Sequence, residues 1–229
     1  MPSTVTVAQA EFTRYVQSAF KVKSSGKIVW IDPIMVNAEH IGNDKADIIL
    51  VTHEHGDHFN VDSINAASKP GTQLVCNNSG IVNRLRGSVT ATVHVLKEGD
   101  TVDVAGVHVK AVAGYNDFHP RNQGANSFNV GYVFTLGGTL MLHAGDTGLV
   151  DEFGKVGKLD VAMLPIGGTY TMDEAEAAKA VTQLLKPRIA IPMHYGFATG
   201  GDPAKFKQLV GNAAQVEVVD AVLSRGPRG

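Results

Sequence analysis

One stretch constrains this chain more than any other: VTHEHGDHFN, from Val51 to Asn60. It follows KADIIL, a continuous apolar run that reads as a buried strand. His53 and His55 therefore leave a strand end at i, i+2 spacing, which aims both imidazoles the same way, and Asp57 and His58 fall in the following turn. A loop at the end of a core strand is where a rigid scaffold carries function. Neutral imidazole and carboxylate suit zinc, iron or manganese, and a chain with one cysteine cannot build a structural thiolate zinc site. His40, His94 and His108 read differently. Each stands alone, in a polar turn or between apolar strand neighbours, and is expected to be an ordinary core or surface histidine. Glu54 alternates with its histidine neighbours and is expected to face solvent.

The rest of the chain supplies a scaffold. A hydrophobic fraction of 44% against 18% charged residues indicates a filled core rather than disorder. Short β-rich runs alternate early (SAFKVKS, KIVWID), whereas ADIILV, VAMLPI and IAIPM are continuously apolar, as expected where helices cover a sheet face. Helical candidates are VDSINAAS, SGIVNRLR, the run TMDEAEAAKAVTQLLK, and DPAKFKQLVG with Pro203 in its first turn and Gly211 as a stop. In the third, Thr171 and Glu174 have capping-box spacing and Pro187 ends the run. No sequence repeat or Pro/Ser-rich linker divides the chain, so one α+β or α/β domain over residues 1–229 is expected. Lys+Arg 20 against Asp+Glu 22 argues against a broad basic face for nucleic acid. The N-terminus lacks a charged region followed by an apolar run, and no apolar stretch reaches membrane-spanning length. Cys76, in QLVCNN, reads as a small core residue in a reducing compartment, so a cytoplasmic location without membrane contact is expected.

THEHGDH is similar to the signature of the metallo-β-lactamase-fold hydrolases. Other segments agree in order: KIVWIDP with the strand ending in Asp-Pro, LHAGDTG with the later G-D-T motif, LPIGGTYTMDEAEAA with the loop and helix after it, and IPMHYG with the last histidine-bearing strand. The resemblance runs from about Ser18 to about Tyr195, and is closest to the small stand-alone branch related to ascorbate-6-phosphate lactonase. It implies a four-layer αββα sandwich and two divalent metal ions, zinc first, with manganese or iron as alternatives. Residue by residue, it implies His53 and His55 with a third histidine on one metal, Asp57, His58 and His194 on the other, and Asp146 between them. His119, just past a strand end in YNDFHP, fits as the third histidine better than His108 inside the strand.

Further residues carry weaker expectations. Tyr195, beside a ligand, is a candidate donor to a developing oxyanion, weighed against an ordinary packed tyrosine. Arg121 and Asn122 share the His119 loop and are candidates for an anionic substrate group, against plain solvation of the arginine. His143 reads as a packed histidine more readily than as a support for Asp146. Asp32 is balanced between orienting a ligand and closing a turn. Where this branch usually carries Gly-His in its first hairpin, YVQSAF has Gln17. That family histidine is not a metal ligand, so the expected metal set survives and Gln17 becomes a candidate substrate contact.

The resemblance thus implies a binuclear hydrolase in which a metal-bridging hydroxide attacks a lactone, ester or phosphoester of a small molecule. Asp57 would orient the nucleophile and pass on its proton. The alternatives are an iron-dependent redox enzyme of the same fold and a phosphodiesterase or nuclease acting on nucleic acid, which the near-neutral charge disfavours. A homo-oligomer stays open.

Overall fold

Ile48 and Leu50 face one hydrophobic core, while Ile49 and Val51, alternating with them, face another. That alternation explains why ADIILV is apolar throughout: a strand covered on both faces has no solvent side to mark with polar residues. The computed structural model describes residues 3–85, 87–121 and 127–223.

The first sheet runs β1 (Thr4–Val7), β2 (Ala10–Val16), β3 (Ala19–Ser24), β4 (Lys27–Ile31), β5 (Ile48–Val51), β6 (Gln73–Cys76) and β7 (Thr92–Val95), each strand beside the next. β1 to β4 form an antiparallel meander, and β4 to β7 are parallel. The second sheet repeats that plan. β8 (Thr101–Val104), β9 (Val107–Ala113), β10 (Val130–Leu136) and β11 (Thr139–His143) are antiparallel. β12 (Val161–Pro165), β13 (Ile189–Met193) and β14 (Gln215–Val216) follow in parallel. The halves share a topology without a visible sequence repeat.

Between the sheets lies a core that includes Phe12, Phe20, Ile31 and Leu50 from one side and Tyr132, Phe134, Met141 and Ile191 from the other. Helices α1 (Ala38–Ile41), α2 (Val61–Ala67) and α3 (Ser79–Leu85) lie with the first sheet, where Ile64, Ala67, Ile81 and Leu85 pack with Trp30, Ile49 and Leu74. Helices α4 (Glu174–Lys179) and α5 (Pro203–Val210) cover the second sheet through Ala177, Ala178, Phe206 and Val210. This is the αββα layering that the resemblance implies. Fully burying a side chain such as Phe134 contributes about 1.5–3 kcal/mol, so the two sheets are held together mainly by this shared apolar layer.

Local expectations are corrected in two places. The capping box of α4 is Asp173 with Glu176, each side chain meeting the other's backbone N–H, rather than Thr171 with Glu174. The helix then widens into a π-helical turn over Ala180–Leu185 and closes at left-handed Lys186, before Pro187. The run AEFTRYV forms β2, although Glu11 and Arg14 interrupt its apolar pattern. Its buried Arg14 satisfies the guanidinium with the carbonyls of Gln17, Tyr195 and Val219. Among the described residues no helix is long and apolar enough to cross a membrane.

Candidate metal centre

Every segment that supplies a histidine or carboxylate to the centre does so just past the end of a strand. β5 ends at Val51, and His53, His55, Asp57 and His58 follow in the turn before α2. His119 lies beyond β9, Asp146 beyond β11 and His194 directly after β13. Because strands β4 to β6 and β11 to β13 are parallel, their C-terminal ends lie on one edge of each sheet, where loops can converge.

Two groups result. His53, His55 and His119 bring ligand atoms within 4.8 Å of one another, and so do Asp57, His58, Asp146 and His194. His55 Nδ1 stands 3.2 Å from His119 Nε2. Asp146 touches both groups: Oδ1 is 3.1 Å from His58 Nε2, and Oδ2 is 2.9 Å from His194 Nε2 and 3.8 Å from His119 Nε2. Yet His53 Nε2, His58 Nε2 and Asp146 Oδ1 are buried without a hydrogen-bond partner. Buried polar atoms are rarely left so. Several on facing side chains, aimed at common points, fit a cation between them.

The opposite ring nitrogens are held, which fixes the tautomers that leave those atoms free. His58 Nδ1 donates to Asp32 Oδ2 at 2.7 Å, and His119 Nδ1 donates to Asn116 Oδ1 at 3.0 Å. Thr52 Oγ1 donates to Asp32 Oδ2 at 2.7 Å and so can accept from His53 Nδ1, 3.0 Å away. Asp32 therefore orients the His58 ring, and its Oδ1 also accepts the Thr52 N–H at 2.7 Å. His143 is packed: its Nε2 donates to the Ser18 carbonyl at 2.9 Å, and it joins neither group.

Electrostatics follow from burial and these contacts. Burial would lower His58 and His194, but Asp146 beside both overrides it and raises them. Burial prevails at His53, which is lowered, and pushes His119 down to about 4 against the pull of Asp146. Burial would raise Asp57 and Asp146, yet hydrogen bonding to His194 at Asp57, and the charge of His58 at Asp146, hold both below the usual carboxylate range.

A cavity of about 320 Å³ opens onto the centre. Gln17 lines it, fully buried, with Nε2 3.2 Å from His194 Nε2 and 3.5 Å from Asp57 Oδ2. Phe118 and Tyr170, both exposed, meet edge to face at its wall with centroids 5.0 Å apart. Two candidate residues make other contacts. Tyr195 turns its hydroxyl to the Val219 carbonyl at 3.4 Å, stacks its ring under Arg14, and its backbone carbonyl accepts from Arg14 Nη2 at 2.6 Å. Arg121 is spent on Glu98 and Glu152 and lies over Tyr115, where it lines a separate depression. Asn122 lies outside the described residues. His40, His94 and His108 are satisfied locally, by Asn37, Gln73 and Asp103. Glu54 is half-buried beside Gly80 rather than fully solvated, and belongs to neither group.

Sequence reasoning missed two contributors. Phe128 packs its ring 4.7 Å from His55 and 5.7 Å from His53 and His119, giving the first group an apolar wall. Asn129 Oδ1 accepts the Asp146 N–H at 3.1 Å while its Nδ2 donates to Gly114, which ties the two loops together. Neither residue carries a ligand-type side chain, so neither stood out.

Comparison with known proteins agrees with this geometry. The family model described as beta-lactamase superfamily domain matches residues 11–194. A UPF0173 metal-dependent hydrolase from Thermococcus kodakarensis is 37% identical over 219 residues, covering 88% of this chain and 92% of its own length. A homologous hydrolase from Methanopyrus kandleri is 36% identical over 223 residues, with the same coverage of 88% and 92%. Among solved structures, the metallo hydrolase Igni18 from Ignicoccus hospitalis superposes with a TM-score of 0.76 at 30% identity, over 91% of this chain and 94% of that one.

Proposed function

This chain belongs to the beta-lactamase superfamily, among the UPF0173 metal-dependent hydrolases, and from that premise we propose that it hydrolyses an uncharged ester or lactone of a small molecule at a binuclear centre. The observation that carries the binuclear reading is the position of Asp146, whose two oxygens face ligand atoms of both histidine groups.

In this reading His53, His55 and His119 would hold one divalent ion, Asp57, His58 and His194 would hold the other, and Asp146, which faces both groups, would serve each. Zinc is the first choice, with manganese and iron as alternatives suited to the same nitrogen and oxygen donors. Such ions lower the pKa of bound water toward neutrality and polarise the substrate oxygen. The chain's own groups do the rest. Asp57, ionised and with its side chain 36% exposed at the cavity, is placed to take a proton from the attacking water and return it to the leaving group. Asp32 and Asn116 keep the His58 and His119 rings in register. Phe128 gives the first group an apolar wall on one side.

The cavity lining supports a neutral substrate. No lysine or arginine lines it among the described residues, whereas Phe118 and Tyr170 offer aromatic surface. A phosphomonoester's charge would be met by the bound ions alone, with no lysine or arginine in the described cavity lining to add to them. The resemblance to the ascorbate-6-phosphate lactonase branch supports the lactone half of this reading, not the phosphate half. A cytoplasmic setting accompanies it, resting on the single buried cysteine.

The test is to strip the protein with a chelator, reload it with zinc, manganese or ferrous iron, and assay aryl esters, lactones, phosphodiesters and phosphomonoesters side by side. Metal-dependent turnover of esters or lactones, absent in His55→Ala, is expected. Turnover that survives chelation, or that is confined to phosphoesters, contradicts the reading.

A further inference from the structure

Gln17 occupies a place that its chemistry as a mere turn residue does not explain. It starts the two-residue turn between β2 and β3 with φ at +49°, a left-handed conformation that glycine adopts at less cost. Its backbone is nonetheless clamped there: the Gln17 carbonyl accepts from the His194 N–H at 3.2 Å and from Arg14 Nε at 3.0 Å. His194 itself has φ at +55°, so two left-handed residues from opposite sheets are locked to each other. The clamp drives the Gln17 side chain, fully buried, into the wall of the cavity.

There the amide end meets two ligand atoms at once, His194 Nε2 at 3.2 Å and Asp57 Oδ2 at 3.5 Å. Atoms bound about 2.1 Å from a common ion, at angles between 90° and 120°, lie roughly 3.0–3.6 Å apart. The amide end thus stands at the spacing of a neighbouring ligand. The other amide atom, Oε1, is buried with no hydrogen-bond partner. Half a turn of the terminal torsion exchanges the two ends of a carboxamide, and which end faces a neighbour follows from the field around it. As it stands, Gln17 Nε2 donates to Asp57 Oδ2; a cation held between Asp57 and His194 would repel that N–H and attract the carbonyl oxygen in its place.

We propose that the Gln17 carboxamide oxygen is a fifth protein ligand of the second metal site, beside Asp57, His58, Asp146 and His194. The proposal rests on the binuclear reading above and extends it to metal choice. A neutral carbonyl oxygen raises the coordination number, which suits manganese or ferrous iron more than four-coordinate zinc. Gln17 would then set which metal fills the second site, while the three-histidine site is unaffected.

The experiment titrates chelator-stripped wild type, Gln17→Ala, Gln17→Met and Gln17→Glu with manganese and with zinc. Calorimetry gives affinities, and electron paramagnetic resonance gives the manganese environment. In Gln17→Ala, manganese affinity is expected to fall by at least about tenfold at one site and to stay unchanged at the other, with a smaller loss for zinc. Gln17→Glu, which keeps an oxygen at the same place, is expected to restore manganese binding. Gln17→Met matches the side chain in length without the carbonyl and reads out the same loss should the alanine variant fail to fold. Wild type that binds two ions, with alanine and methionine variants that bind both as tightly, would overturn this proposal alone, including when only the KM of an ester substrate changes. Wild type that saturates with fewer than two ions would overturn the binuclear reading together with it.

Discussion

Asp32 Oδ2 lies 2.7 Å from His58 Nδ1, and both side chains are wholly excluded from solvent. The carboxylate follows β4 and the imidazole follows β5, so two neighbouring parallel strands fix the His58 ring between them. Asp32→Asn keeps the acceptor for the Thr52 N–H but removes the charge that holds the His58 tautomer. Metal affinity of the second group should fall roughly 10–100-fold with little change in fold. Asp32→Ala should also destabilise the chain by about 1–3 kcal/mol, because the buried Thr52 N–H loses its partner. Competition with a metal indicator and denaturant unfolding separate the two effects.

Gly145 precedes Asp146 at φ +62°, and a Cβ there would stand 2.4 Å from Asn129 Oδ1 and 3.1 Å from the Thr52 Cβ. Since Asn129 Oδ1 is the acceptor for the Asp146 N–H, Gly145→Ala should disturb the carboxylate as well as the backbone. A stability loss of at least about 1–3 kcal/mol and loss of bound metal are expected together. A variant of unchanged denaturation midpoint and full metal content would show that Asp146 is not positioned this way.

These relationships show where sequence reading succeeds and where it stops. The segments that converge on the two groups were legible because histidine and aspartate are uncommon at buried strand ends, and because resemblance supplied candidate partners far away in sequence. β2 was hard to read, since Arg14 breaks its apolar pattern and finds partners as far as 205 residues away in sequence. Tyr195 and Arg121 were offered to the substrate on adjacency alone. Their hydroxyl and guanidinium go instead to Val219 and to two glutamates, contacts that depend on tertiary packing. The capping box shifted by two residues because Thr171 and Asp173 are both competent caps, and the loop before α4 decides between them.

The aromatic wall of the cavity predicts a kinetic separation. Phe118→Ala removes one partner of the pair with Tyr170. It should raise KM for an aryl ester roughly 2–12-fold, the equivalent of about 0.5–1.5 kcal/mol for an aromatic contact, with metal content unchanged. Equal KM values for wild type and variant would remove this wall from the substrate site.

Burial pushes the Cys76 thiol up to about 12 from 9.0. The neutral form is therefore favoured in the folded chain. Its contribution to stability is fully present below pH 9 and is lost as pH rises toward 12. A thiol reagent at pH 8 should leave Cys76 unmodified until denaturant unfolds the chain. Prompt labelling of the native protein would contradict its placement under α2 and α3.

The most direct test of the central claim is the number of divalent ions bound per chain at saturation, measured by elemental analysis after dialysis for wild type, His119→Ala and Asp57→Ala. Two ions in wild type and one in each variant, with ester or lactone hydrolysis lost in step, is the predicted result. A single ion in wild type, or two retained in both variants, would contradict the assignment of His53, His55 and His119 to one site and Asp57, His58 and His194 to the other.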